Sequence, residues 1–241
     1  MRGLSGTSVS AAPIVIRTKN FVTDAAGLIL EQARNAIAER NEFRIALSGG
    51  NTPAPVYSRI AAEAHDFPWR SVRFTFGDER CVPPDDPQSN FRMARENLFV
   101  PADIPEKSIL RMRGEIDPQI AAQEYEDQLN AMAVESGERI YQHDLILLGL
   151  GEDGHTASLF PGTAALDEMT RSVVANFVPK LNTWRLTFTF PLINHARHIL
   201  FLAGASKNSR LIESVLAGDR QFPAARVSPA AGEVTWVIGE S

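Results

Sequence analysis

Residues 144–162 read DLILLGLGEDGHTASLFPG, and this stretch decides the fold. DLILLGLG is apolar almost throughout, the composition of a strand buried on both faces of a parallel sheet. It runs straight into a glycine-rich loop carrying a carboxylate, Asp153, and an imidazole, His155, two positions apart. Only Gly154 lies between them, so both side chains can reach one small ligand. Open α/β sheets bind ligands beyond the carboxyl ends of their strands, which makes this loop the candidate active site.

Outward from this segment, apolar strand-like runs at 14–17, 44–48, 72–77, 144–149, 173–176, 185–190, 199–203 and 234–238 alternate with amphipathic stretches. The amphipathic stretches lie at 24–40, 53–64, 90–99, 118–135 and 207–217. Alternation of this kind predicts an α/β, Rossmann-type, mostly parallel sheet with helices on both faces. There is no internal repeat and no low-complexity linker, so the expectation is one domain over 1–241, with residues 1–12 as a flexible leader. The proline-rich segment 82–89, VPPDDPQS, follows a strand directly and is expected to lie over the site.

The bulk numbers narrow the function. The 241 residues are 44% hydrophobic and 22% charged, enough for a sizeable buried core. A net charge of -5 gives no general attraction for nucleic acid or an anionic membrane, so any anion site must be a local basic cluster. The single cysteine, Cys81, can form neither an internal disulfide nor a thiolate metal cluster, and fits a reducing compartment. No apolar run approaches the roughly 20 residues of a membrane span. The expectation is a cytoplasmic protein.

Three further strand ends resemble ligand loops. In LSGGNTP (47–53), Gly49 and Gly50 let the backbone approach an anion, with Thr52 as N-cap and Pro53 opening a helix. The helix N-terminus would then aim free N–H groups at a phosphate, although the same residues also make a plain strand-to-helix turn. The P-loop spacing is absent. In FGDERCV (76–82), Asp78, Glu79 and Arg80 sit at a strand's carboxyl end, where Arg80 can hold a phosphate or an oxyanion. A charge run there is also a common solvated loop. Cys81 reads as a small buried residue rather than a nucleophile. In GASKNS (204–209), Ser206 can cap a helix whose first turn holds Lys207. The helix dipole opposes a cation at that place, which suggests an anion to balance it. Arg185, opening RLTFTFP, is another candidate, and either cation alone could be a surface charge.

Gly149, Gly151 and Gly154 also spell the G-x-G-x-x-G of dinucleotide sites. Pro161–Gly162 would stop any helix after about two turns, whereas a dinucleotide fold needs a full crossover helix there. His155, His195 and His198 lack metal-ligand spacing, and no G-x-S-x-G elbow exists. Acid–base chemistry by His155, oriented by Asp153, is the better reading.

LSGGNTP, FGDERCVPPDDPQSNFRMAREN, DLILLGLGEDGHTASLFPG and RLTFTFP with downstream GASK, in this order, resemble the 6-phosphogluconolactonase family. The resemblance runs from about Arg44 to Ala217. It implies a NagB/RpiA-like fold and hydrolysis of 6-phospho-D-glucono-1,5-lactone to 6-phospho-D-gluconate, the second step of the oxidative pentose phosphate pathway. It also implies no metal and no organic cofactor. By the same resemblance His155 is the general base, Asp153 its partner and Arg80 the oxyanion group. Ser48, Gly49, Gly50, Asn51, Thr52, Asp78, Arg92, Arg185 and Lys207 would form the substrate and phosphate site. Asn51 stands where the family often has serine, and Arg92 where it often has a small residue; Arg92 is either an extra basic group facing the ligand or a surface residue. The implied partner is a phosphosugar lactone, with no nucleic acid and no membrane, in a monomer or weak homodimer. The rival enzyme is a glucosamine-6-phosphate deaminase or isomerase of the same fold, against which the DGHTASLFPG loop argues. A catalytically silent sugar-phosphate sensor would need neither Asp153 nor His155.

Overall fold

A computed structural model of the chain describes residues 12–204 and 209–240. The expected leader, apart from Ala12, therefore lies outside the described residues, as do Ser206 and Lys207. Helix α1 (Phe21–Arg40) buries Ala25, Ile29, Ala33 and Ala36, a one-face stripe at helical spacing. It ends at Asn41, which adopts a left-handed conformation and donates its N–H to Ile37. Helix α2 (Ala54–Glu63) packs beside it. The short α3 (Asn90–Ala94) continues into one wide π turn, Arg95–Phe99. Helix α4 (Pro118–Glu135) begins where the Asp117 carboxylate accepts from the N–H groups of Gln119 and Ile120. The four-residue α5 (Phe190–Ile193) and α6 (Ser209–Leu216) complete the described helices.

Strands β1 (Ile14–Thr18), β2 (Phe43–Leu47), β3 (Val72–Phe76), β5 (Leu145–Gly149), β8 (His198–Ala203) and β9 (Glu233–Gly239) form a parallel sheet in the order β1-β9-β8-β5-β2-β3. Side chains alternate across β5. Leu145 and Leu147 face a core shared with α1 and α2, while Ile146 and Leu148 face a second core shared with α4 and α6. Both faces are covered, as the unbroken apolar run requires. The chain steps outward from β2 to β3 in one direction and from β5 through β8 and β9 in the other. The carboxyl ends of β2 and β5 therefore flank the topological switch point.

A second sheet was not foreseen. Strands β4 (Asp78–Arg80), β7 (Thr183–Phe188) and β6 (Val173–Val178) pair antiparallel in the order β4-β7-β6. The charged run after β3 is thus a strand, not a loop. Gly77 breaks β3, donating its N–H to Leu47 and accepting from Phe188, so Asp78–Arg80 is turned onto the new sheet. A helix after His155 is also absent: Gly151 donates to the carbonyl of His155, and Thr156 bridges Leu159 in a tight reversal. Among the described residues no helix is long and apolar enough to cross a membrane.

Candidate active site

A cavity of about 430 Å³ opens at the switch point. Its floor is Ser48–Pro53 after β2 and Gly149–Glu152 after β5; its walls include His155, Ser158 and Phe160. The small sheet adds Asp78 and Arg80 from β4 and Arg185 from β7, and the β6–β7 turn adds Lys180 and Leu181.

His155 is held on three sides. Its Nδ1 lies 2.6 Å from Asp153 Oδ1, and its ring stacks on Phe160 at 3.9 Å between centroids. On the third side is Gly151, where a β-carbon would come within 2.0 Å of the imidazole. Gly154 takes φ +77 and faces Phe222. The glycine pattern therefore makes room for a ring and a reversal, not for a pyrophosphate. Asp153 does not line the cavity itself. Its second oxygen accepts from Lys180 Nζ at 3.1 Å. Burial works to raise the Asp153 carboxyl, but hydrogen bonds from His155 and Lys180 outweigh it and hold the group below its ordinary value.

Arg80 and Arg185 are directly opposed across β4 and β7, so their side chains share one face. Neither forms an ion pair among the described residues. Arg80 Nη1 donates to the Gln88 carbonyl, which ties the 82–89 loop to Arg80, although none of 82–89 lines the cavity. Burial, then repulsion from Arg80, pushes the Arg185 guanidinium below its ordinary value. Two guanidinium groups on one face repel each other, and the nearby Asp78 and Glu79 carboxylates offset this only in part, so an anion is favoured at this wall.

The β2 loop behaves as a cradle. Tyr57 hydroxyl donates to the Ser48 carbonyl at 2.8 Å and accepts from its N–H at 3.1 Å, which fixes the backbone. Ser48 Oγ is buried and has no hydrogen-bond partner. Gly49 is in contact with Asn90, whose amide oxygen would overlap any β-carbon, and Gly50 takes φ +95. Thr52 is not the N-cap. Pro53 already has helical dihedrals and no side chain caps α2; Thr52 and Pro53 both line the cavity.

Asp78, at the cavity wall, accepts through Oδ2 from Ser158 Oγ at 2.7 Å and through Oδ1 from Asn90 Nδ2 at 3.2 Å, both neutral donors. Glu79 points the other way. It is buried and accepts from the N–H groups of Arg80, Asn90 and Phe91, anchoring α3 to β4. Burial nevertheless raises its carboxyl. The Cys81 thiol is pushed up to about 11 by burial, which removes it as a nucleophile at neutral pH.

Arg92 is a correction. It does not line the cavity. Its Nε donates to Glu96 at 2.7 Å and its Nη1 to the Asp85 carbonyl at 2.8 Å, because an i,i+4 carboxylate on its own helix captures it. Lys180, Ser158, Glu152 and Phe160 are cavity residues that the sequence reading did not single out. Pro179–Lys180 ahead of an apolar strand was the one available signal, a turn between two strands.

A sheet covered on both faces, with an imidazole–carboxylate pair at its carboxyl edge, defines an α/β protein with a polar cavity at the switch point. The family model described as glucosamine-6-phosphate isomerases/6-phosphogluconolactonase matches residues 17–236, and the chain belongs to this family. It is 44% identical over 232 residues to a 6-phosphogluconolactonase of Synechocystis sp., covering 94% of each chain. It is 38% identical over 215 residues to one from Nostoc sp., covering 88% of each. The crystal structure of 6-phosphogluconolactonase from Thermotoga maritima superimposes with a TM-score of 0.82 at 28% identity, covering 95% of this chain and all of that one. The fold expected from the sequence is therefore correct.

Proposed function

We propose that the protein hydrolyses 6-phospho-D-glucono-1,5-lactone to 6-phospho-D-gluconate, with His155 as general base. The observation that carries this reading is the His155 imidazole, fixed by Asp153 and Phe160 at a cavity also lined by two guanidinium groups that form no ion pair among the described residues. The curated relatives bear the name of this activity.

The Asp153 carboxylate can only accept, so it keeps the proton on Nδ1 and leaves Nε2 free to take one from water. The hydroxide so formed attacks the lactone carbonyl carbon. Arg80 stabilises the tetrahedral oxyanion. Collapse breaks the bond to the ring oxygen, which receives the proton from His155, and the new carboxylic acid ionises. A positioned base is worth about 10²–10⁴ in rate, a large share of what a reactive δ-lactone requires. Arg185, Ser48 Oγ, Gly49, Gly50, Asn51, Thr52 and the uncapped start of α2 hold the phosphate, with Asp78 accepting from sugar hydroxyls. Lys207 lies outside the described residues and keeps its place in the phosphate site on resemblance alone.

The test is a coupled assay with freshly prepared lactone, run beside glucosamine 6-phosphate. The expected result is turnover of the lactone, reduced about 10²–10⁴-fold in a folded His155→Ala variant. Turnover of the amine but not the lactone overturns the assignment, and near-full activity in the variant removes His155 from its role.

A further inference from the structure

Lys180 reaches the site from far along the chain. It sits in the Pro179–Leu181 turn that joins β6 to β7, 27 residues from Asp153. That turn is built to a fixed shape. Pro179 sets its first dihedral, Asn182 adopts φ 47 and ψ 46, and Val178 pairs with Thr183 immediately beyond it. One step further, Phe177 and Trp184 face each other across the strands with ring centroids 5.4 Å apart, both partly exposed. An exposed cross-strand aromatic pair adds little to a core, but it braces the hairpin that presents Lys180. The ammonium then meets Asp153 Oδ2 at 3.1 Å, while His155 occupies Oδ1 at 2.6 Å.

We propose that Lys180 is a positioning residue for His155, holding the far oxygen of Asp153 and weakening the carboxylate's grip on the imidazolium. The proposal rests on the reading of His155 as general base. Two donors on one carboxylate have two consequences. The carboxylate plane is fixed, so the imidazole is fixed with it. The ammonium also repels a second positive charge nearby, so His155 gives up its proton at a lower pH than it would beside Asp153 alone. Among the described residues, the other charged groups facing the cavity are Glu152 on the same loop and Asp78, Arg80 and Arg185 on β4 and β7. None of these is hydrogen-bonded to Asp153 or His155. Lys180 is 69% exposed, so solvent screens the effect to a modest size.

The experiment follows the His155 ring by NMR titration in the wild-type protein, Lys180→Met and Lys180→Arg, with His155→Gln assigning its signal among the five histidines. The expected result is that His155 binds its proton about threefold more tightly in Lys180→Met and returns to the wild-type value in Lys180→Arg. An unchanged midpoint in Lys180→Met overturns the proposal. The lactone kcat/KM profile is measured on the same samples, and its acid limb is expected to follow the NMR midpoint. Movement of the NMR midpoint with an unmoved kinetic profile supports the role of Lys180 and overturns the general-base reading instead. Lys180 stands in an exposed turn, so none of these variants threatens the fold.

Discussion

Replacing Gly151 by alanine drives a methyl group into the His155 ring. The new β-carbon would stand 2.0 Å from both Cε1 and Nδ1. Carbon contacts relax at about 3.5–4.0 Å, so the ring or the loop must shift by roughly 1.5 Å. The ring cannot slide toward Phe160, whose centroid is already 3.9 Å away, without losing that stack or the Asp153 contact. Gly151 does not use a positive φ, so the backbone itself accepts alanine. The imidazole is therefore what moves. A displacement of about 1 Å in a catalytic group costs on the order of 10² in rate, and kcat for the lactone is expected to fall by about that factor. The melting temperature should stay within about 4 °C of wild type, because the clash is relieved at a solvent-facing cavity rather than in a core. The assay is steady-state hydrolysis of fresh lactone, corrected for spontaneous opening, beside a thermal melt. A variant that melts like wild type and keeps kcat within threefold would refute the claim that this glycine sets the position of the base.

Arg185→Met is expected to raise KM for the phosphorylated lactone by about 10–100-fold, the value of a charge-assisted hydrogen bond, while leaving hydrolysis of unphosphorylated glucono-1,5-lactone unchanged; equal effects on both substrates would place Arg185 away from the phosphate. His143 is fully buried, its Nε2 2.9 Å from Thr75 Oγ1, and burial, then repulsion from Arg44 and His195, lowers it to about 3. The unfolded chain takes up that proton below about 6.5 and the native state does not, so stability falls as pH drops from there toward 3. Between pH 7 and 5 wild type should lose about 2 kcal/mol more than His143→Gln in urea unfolding, and parallel pH profiles would contradict this.

The parts of the site legible in the sequence are those encoded locally. Asp153 and His155 share a loop, and the spacing alone brings the carboxylate to the imidazole. The SGGNT cradle is one contiguous turn and could be read the same way. The main sheet was legible because its strands are apolar runs separated by helices. What stayed hidden depends on antiparallel register. Nothing local says that Arg80 will stand opposite Arg185, because three charged residues after a strand look like a solvated loop until Gly77 is seen to redirect them. Lys180 was hidden for the same reason, since its partner is a hairpin and a loop away. Arg92 misled because a basic residue near a ligand loop is attractive, while Glu96 one turn later on the same helix is a stronger competitor for it.

The balance of charge within the cavity explains how a protein of net charge -5 can receive an anion. Of the acidic groups at the site, Asp153 pairs with Lys180 and is hydrogen-bonded to His155. Asp78 is satisfied by the hydroxyl of Ser158 and the amide of Asn90, so it draws no cation away from the cavity. Glu79, next in sequence to Arg80, is withdrawn into the backbone of α3 and does not pair with it. Asp153, Asp78 and Glu79 are thus each held by other donors, and Arg80 and Arg185 form no ion pair among the described residues.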